Sequence, residues 1–159
     1  MAKKILGLDI SEDGLAAALV VSGLKGAHLA FSRKLFFKDG LDRGEALAMG
    51  LEELCRSVDV SGAVCLAAVP SAAVSFRNLR LPFPDERKIR QVLPFEIEPI
   101  LPKPIEQMIV DFRRVADDDG QAATPVIAAA MEQSVLKSIL DALAVHHIDP
   151  EIVTVGGCA

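Results

Sequence analysis

Three groups of residues in this 159-residue chain have types and spacings that could do chemistry. The first is Asp9, Ser11, Glu12, Asp13 and Gly14, which sets carboxylates, a hydroxyl and a glycine directly after the apolar run Lys4 to Ile10. Ser-Glu-Asp-Gly is a turn signal, and carboxylates in a turn hold a metal only if other elements bring further ligands. The second is the pair His146-His147. Adjacent side chains do not share a helical face, so the pair is no chelate. Imidazolium groups at a polar helix end suit the helix dipole instead. The third group is cationic and apolar. Arg77, Arg80, Arg87, Lys88 and Arg90 stand near Phe83, Phe95, Ile97, Ile100 and Leu101. Apolar side chains rimmed by arginine have the makings of an interface patch. The competing use of the same apolar residues is to seal this segment against the main sheet.

The remaining reactive residues point away from catalysis. Cys55, Cys65 and Cys158 are an odd set with no close pair, which makes neither a disulfide framework nor a zinc site. Cys65, inside an apolar run, reads as an inert core thiol. No Ser/His/Asp arrangement follows from spacing. With 17 basic and 22 acidic residues the net charge is −5, which argues against a nucleic-acid binder. Tyr and Trp are absent, so base stacking would fall to seven Phe and three His. Half the chain is apolar (51%), enough for a core and too much for disorder. The basic start Met1-Ala2-Lys3-Lys4 is not a signal peptide, because Asp9, Glu12 and Asp13 interrupt its apolar stretch. No run reaches the roughly 18–20 apolar residues of a membrane span. The expectation is a soluble chain in a reducing, cytoplasmic compartment.

The elements that must position these groups follow from periodicity. Lys4 to Ile10, Leu15 to Val21 and Ala27 to Phe37 read as three strands joined by short turns, hence an antiparallel meander. In the third, Leu29, Phe31, Arg33 and Leu35 fall on one face. Leu47, Leu51, Leu54 and Val58 recur at helical spacing. Asp42 is the expected N-cap, with Glu45 as its capping-box partner, for a helix over about 43–57. Ala63 to Val69 reads as a strand covered on both faces, parallel to its neighbour after the crossover.

Residues 71–131 read as a separate module. Val74 to Leu81 is a strand closed by Pro82 and Pro84. Asp85 to Leu93 is a short helix that Pro94 kinks or ends, and Pro99, Pro102 and Pro104 then hold an extended path. Met108 to Arg113 and Val126 to Met131 form a hairpin about the turn Asp117-Asp118-Asp119-Gly120. A helix over 132–147 and a buried strand at Ile152 to Val155 follow. A buried strand at that place implies the front part of a longer protein.

A β-β-β-α-β opening with a later α-β suits a five-stranded mixed sheet flanked by helices, the ribonuclease-H-like topology of actin-like ATPases and sugar kinases. In that topology the first turn faces the working cleft. A metal nuclease on it would need several carboxylates around two ions. Asp9 could supply one, but the fourth strand ends Val69-Pro70-Ser71 and supplies none.

Ile5-Leu6-Gly7-Leu8-Asp9-Ile10-Ser11 is similar to the opening strand of actin-like proteins. Phe76-Arg77-Asn78-Leu79-Arg80-Leu81-Pro82, Gln91-Val92-Leu93-Pro94-Phe95-Glu96-Ile97-Glu98-Pro99, Leu101-Pro102, Val110-Asp111-Phe112 and Ile148-Asp149-Pro150-Glu151-Ile152-Val153 narrow this further. They resemble the family that holds the type IV pilus assembly protein PilM and the cytoplasmic part of the type II secretion protein GspL. The resemblance covers the front lobe of such a protein. It implies that 1–70 with 132–159 form actin subdomain IA, that 71–131 is the inserted subdomain, and that the second lobe and any membrane segment lie outside this chain.

In the actin-like family the first turn wraps ATP phosphates, with an Asp near Mg²⁺ and a Gly allowing close approach. By resemblance, Asp9, Ser11 and Gly14 form that cofactor-binding turn in degraded form. Ser11 stands where Gly is usual, Leu15-Ala16-Ala17 replaces the usual lysine region, and Glu12 and Asp13 repel phosphate. ATP and Mg²⁺ are then expected only in the full-length protein, and Asp9 has the competing use of a solvated or turn-capping carboxylate. No metal ligands and no catalytic residues are expected. The resemblance implies a scaffold at the cytoplasmic face of the bacterial inner membrane. It would bind the secretion ATPase and a GspM-like platform protein, with no nucleic acid and no membrane insertion by this segment. Arg77, Phe83, Arg90, Phe95 and Ile97 are the candidate partner-binding residues. The alternative is a PilM-like nucleotide-binding protein that takes a short N-terminal peptide of a PilN-like membrane protein. Half of a sugar-kinase-like phosphotransferase comes third. Homodimer formation is left open.

Overall fold

A computed structural model describes residues 2–24, 26–115 and 123–157. Lys25, the turn Asp117-Asp118-Asp119-Gly120 and Cys158 lie outside the described residues. The chain divides into two units, one of residues 1–72 with 136–159 and one of residues 73–135.

The first unit is built on a five-stranded sheet, in the order Gly26–Phe36 (β3), Gly14–Gly23 (β2), Lys3–Ile10 (β1), Val64–Val69 (β4) and Pro150–Val155 (β8). β1, β2 and β3 form the antiparallel meander, and β4 joins β1 in parallel. Between β3 and β4 runs α1 (Arg43–Ser57). Its start is fixed by Asp42, whose carboxylate accepts from the Gly44 and Glu45 N–H groups at 2.7 and 3.1 Å, satisfying donors that the helix leaves open.

The sheet's two faces differ. Leu6, Leu8 and Ile10 lie across from Leu19, Ala17 and Leu15, with Cys65 and Ala67 on the other side, and all are buried. Leu47, Leu51 and Leu54 of α1 are buried with them, and a Cβ on Gly50 would stand 3.7 Å from the Leu15 side chain. Each such leucine contributes roughly 1.5–3 kcal/mol by leaving water. The opposite face carries Gly7, Ala16, Ala18 and Leu66 and stays partly open. β4 is therefore covered fully on one face and only in part on the other, where Leu66 is half-buried and Ala68 is buried. A bulge also corrects β3. Phe31 pairs with Leu19, but Leu29 pairs with Val20, so the alternation breaks at Ala30 and Leu29 does not share the Phe31 face.

The second unit holds β5 (Val74–Leu81), α2 (Glu86–Ile97), β6 (Met108–Arg114) and β7 (Thr124–Glu132). Its antiparallel sheet has the order β5-β7-β6. Ile89, Leu93 and Ile97 of α2 are buried together with Leu81, Val126, Ala128 and Ala130. Contrary to expectation, the helix runs through Pro94. Pro94 forgoes one helical hydrogen bond, while Ile97 gains burial one turn beyond Leu93; that burial offsets the loss. The expected extended path after Pro94 begins only at Leu101, past a single 3₁₀ turn over Glu98–Ile100.

α3 (Gln133–Val145) follows, with Ile139 and Leu143 buried. It ends at Val145, and His147, with a positive φ of 57°, closes the turn that follows. β8 (Pro150–Val155) then pairs with β4 in parallel. The sequence led us to expect a buried strand here. β8 is instead a sheet edge with Ile152 and Val153 exposed, because only one neighbour flanks it.

Candidate functional site

The first turn, between β1 and β2, is closed on its own groups. The Ser11 N–H donates to the Gly14 carbonyl at 2.9 Å. The Ser11 hydroxyl lies 2.6 Å from Asp13 Oδ1 and 3.0 Å from the same carbonyl. Lys34 of β3 reaches Asp13 at 3.2 Å, and Arg43 of α1 reaches Glu12 at 2.8 Å. The Ser11 hydrogen bond, then Lys34, holds the Asp13 carboxyl below its ordinary value. Gly14 does permit a close approach, but of another strand. A Cβ there would lie 2.4 Å from the Leu35 carbonyl oxygen.

These residues do not fit a bound Mg-ATP. Ser11 has spent its N–H and hydroxyl within the turn, the open side of Gly14 is filled by β3, and Glu12 and Asp13 engage Arg43 and Lys34, the nearby cations that a phosphate would need.

Asp9 stands apart from that turn. It is exposed at the carboxyl end of β1, beside the ends of β4 and β8, and a Cβ on Gly156 would come 3.2 Å from its Oδ1. The Gly156 N–H donates to the Val69 carbonyl at 2.8 Å, which holds this corner together. Alongside lies a recess of about 730 Å³ on the open sheet face, floored by Gly7, Ala16, Ala18, Leu66 and Ala68, with Lys34 and Thr154 at its sides. Sequence reasoning missed this recess and Gly156. The signal available was the Gly156-Gly157 pair directly after an apolar strand. Among the described residues no cluster of His, Cys, Asp or Glu could hold a metal. Cys65 is buried, and burial, with Asp149 adding, pushes its thiol up to about 11.

The expected partner-binding set in the second unit is not brought together as one surface. Ile97 is wholly buried and must be struck from it, since the continued helix turns it into the core. Phe83 is half-buried against the same core. Arg77 donates to the carbonyls of Phe76 at 2.8 Å and Ile100 at 3.4 Å. Arg90 bridges Glu86 and Asp111 and lies over the Phe112 ring. Phe95, 74% exposed, stands out into solvent.

No family model and no curated protein matches the chain. Solved structures do. A PilM–PilN type IV pilus biogenesis complex matches at 24% identity with a TM-score of 0.79, covering 95% of this chain and 47% of that one. The cytoplasmic domain of EpsL, an inner-membrane component of the Vibrio cholerae type II secretion system, matches at 15% identity with a TM-score of 0.64, covering 96% and 57%. The fold is actin-like. The β-β-β-α-β-α-β order of the first unit and the β-α-β-β order of the second agree with the sequence expectation. This actin-like chain spans about half the length of the solved proteins it matches. Among its described residues no helix is long and apolar enough to cross a membrane.

Proposed function

We propose that this chain is the front part of an actin-like scaffold in a bacterial pilus or secretion machine, acting by protein binding and not by turnover. The observation that carries this reading is the first turn, whose hydroxyl, amide and acidic groups are committed to one another and to Lys34 and Arg43. A scaffold needs that turn rigid, whereas a phosphate site needs its donors free. The scaffold would sit at the cytoplasmic face of the inner membrane. A phosphotransferase reading gains nothing from this geometry, because the donors of the same turn are already used.

Between the two machines, the sequence resemblance favours the secretion protein. The higher identity and TM-score of the PilM–PilN match support the pilus reading instead. On it, the partner is a short N-terminal peptide of a PilN-like membrane protein. On the secretion reading, the partners are the secretion ATPase and a GspM-like protein. Calorimetric titration of the chain with each partner decides. Peptide binding alone supports the pilus scaffold, and ATPase binding alone supports the secretion scaffold. Binding to none of the three removes the scaffold reading.

A further inference from the structure

The outward side of α2 carries a stripe at heptad spacing. Lys88, Gln91, Phe95 and Glu98 follow one another by three, four and three residues, opposite the buried line of Ile89, Leu93 and Ile97. Glu98 stays on the helical path, with φ −50° and ψ −45°. All four residues are exposed. Lys88 uses its backbone N–H, not its ammonium, in the cap with Asp85. Among the described residues no hydrogen bond or ion pair engages the side chains of Lys88, Gln91 or Glu98, whereas neighbouring Arg90 is committed to Glu86 and Asp111. The stripe also runs against the helix's own dipole. An acid stands at the carboxyl end, and the last turn holds no cation. Its order is self-complementary. A second α2 laid antiparallel, centred at the level of Leu93, sets Lys88 across from the partner's Glu98 and Gln91 across from the partner's Phe95, each twice. The two phenyl rings then start about 6 Å apart along the axis, within reach of an edge-to-face contact. The partner's Lys88 supplies the cation that the carboxyl end lacks.

We propose that two copies of this chain associate through α2, antiparallel, with Lys88, Gln91, Phe95 and Glu98 as the contact. The contact is isologous, so each chain gives and receives the same pairs. It is one helix wide, below the size of a standard interface, which makes it a transient pair and not an obligate one. This goes beyond the scaffold reading and does not depend on it.

Sedimentation equilibrium of the intact chain, at concentrations up to about 1 mM, reads the association. We expect a reversible monomer–dimer equilibrium that added salt weakens. Lys88→Glu and Glu98→Lys each weaken it by about tenfold, because like charges then meet at both ends of the pair. Mixing these two variants restores the parent affinity, since one brings only acids to the two ends and the other only lysines. Phe95→Ser weakens the dimer as well, while Lys38→Glu, exposed in the first unit, leaves it unchanged. Circular dichroism confirms that each variant is folded. A chain that stays monomeric at the highest concentration overturns the proposal. So do folded Lys88→Glu and Glu98→Lys variants that dimerise like the parent, or a mixture of the two that stays monomeric. Retention on phosphatidylglycerol vesicles that Phe95→Ser abolishes overturns it too, since a lipid surface would then be the occupant. If the chain is monomeric while the PilN-like peptide or the ATPase still binds, this contact falls and the scaffold reading stands.

Discussion

Gly14 shows how far a single residue can be understood from sequence. Its place in a turn was legible from Ser-Glu-Asp-Gly alone. Its requirement for no side chain was not. The atom in the way is the Leu35 carbonyl oxygen, which lies far along the chain and only 2.4 Å from where a Cβ would sit. Gly14→Ala must push β3 away from the turn. Overpacking of this kind costs about 1–3 kcal/mol, so we expect a lower melting temperature by calorimetry and no rescue by added nucleotide. A variant as stable as the parent would mean that β3 yields at that point freely. Asp42 and Cys65 were readable for the opposite reason. Capping is decided within about four residues, and a thiol in an unbroken apolar strand has nowhere to go but the core.

At the scale of elements, the helices and strands were legible wherever local pattern and tertiary packing agree. α1 spans Arg43–Ser57 as its period predicts. α2 is the exception. Proline chemistry alone ends it near Leu93, but the i, i+4, i+8 series Ile89, Leu93, Ile97 outweighs one missing hydrogen bond. The bulge at Ala30 was equally hidden, since a bulge is a property of two paired strands and not of one. The two aromatic and aliphatic members of the expected patch on α2 should now separate. Ile97→Ala removes a fully buried side chain and should cost about 2–5 kcal/mol. Phe95→Ala removes one that is 74% exposed and should change stability by no more than about 0.5 kcal/mol, in keeping with small effects at surface positions. Denaturant unfolding of both variants checks the pair; equal losses would contradict the burial described for Ile97.

For the whole molecule, the order of elements carried the fold, because a meander, a crossover helix and a parallel return strand leave few topologies open. The recess beside Asp9 was not legible. Its floor of Gly7, Ala16, Ala18, Leu66 and Ala68 lies in near-continuous apolar runs, whose two faces look alike until the helix on one of them is placed. The closed turn next to it leads to a prediction for the chain as a unit. Mg-ATP at millimolar concentration should leave its thermal transition where it is, because a ligand that binds weakly at its own concentration contributes almost nothing to stability. A concentration-dependent upward shift would mean that the turn opens to accept phosphate.

The pairing of β8 with β4 has a consequence for how the chain is made. The segment 70–149, which contains the whole second unit, lies between these two strands. During synthesis the first four strands of the sheet and α1 emerge and can assemble while β8 is still untranslated. The fifth place in the sheet then stays vacant for about four to sixteen seconds at usual elongation rates. Closing so long a loop is slow unless its contents have already collapsed. Folding of the insert therefore acts as a timer for completion of the sheet, and lesions inside the insert should surface as late arrival of β8 at the edge it shares with β4.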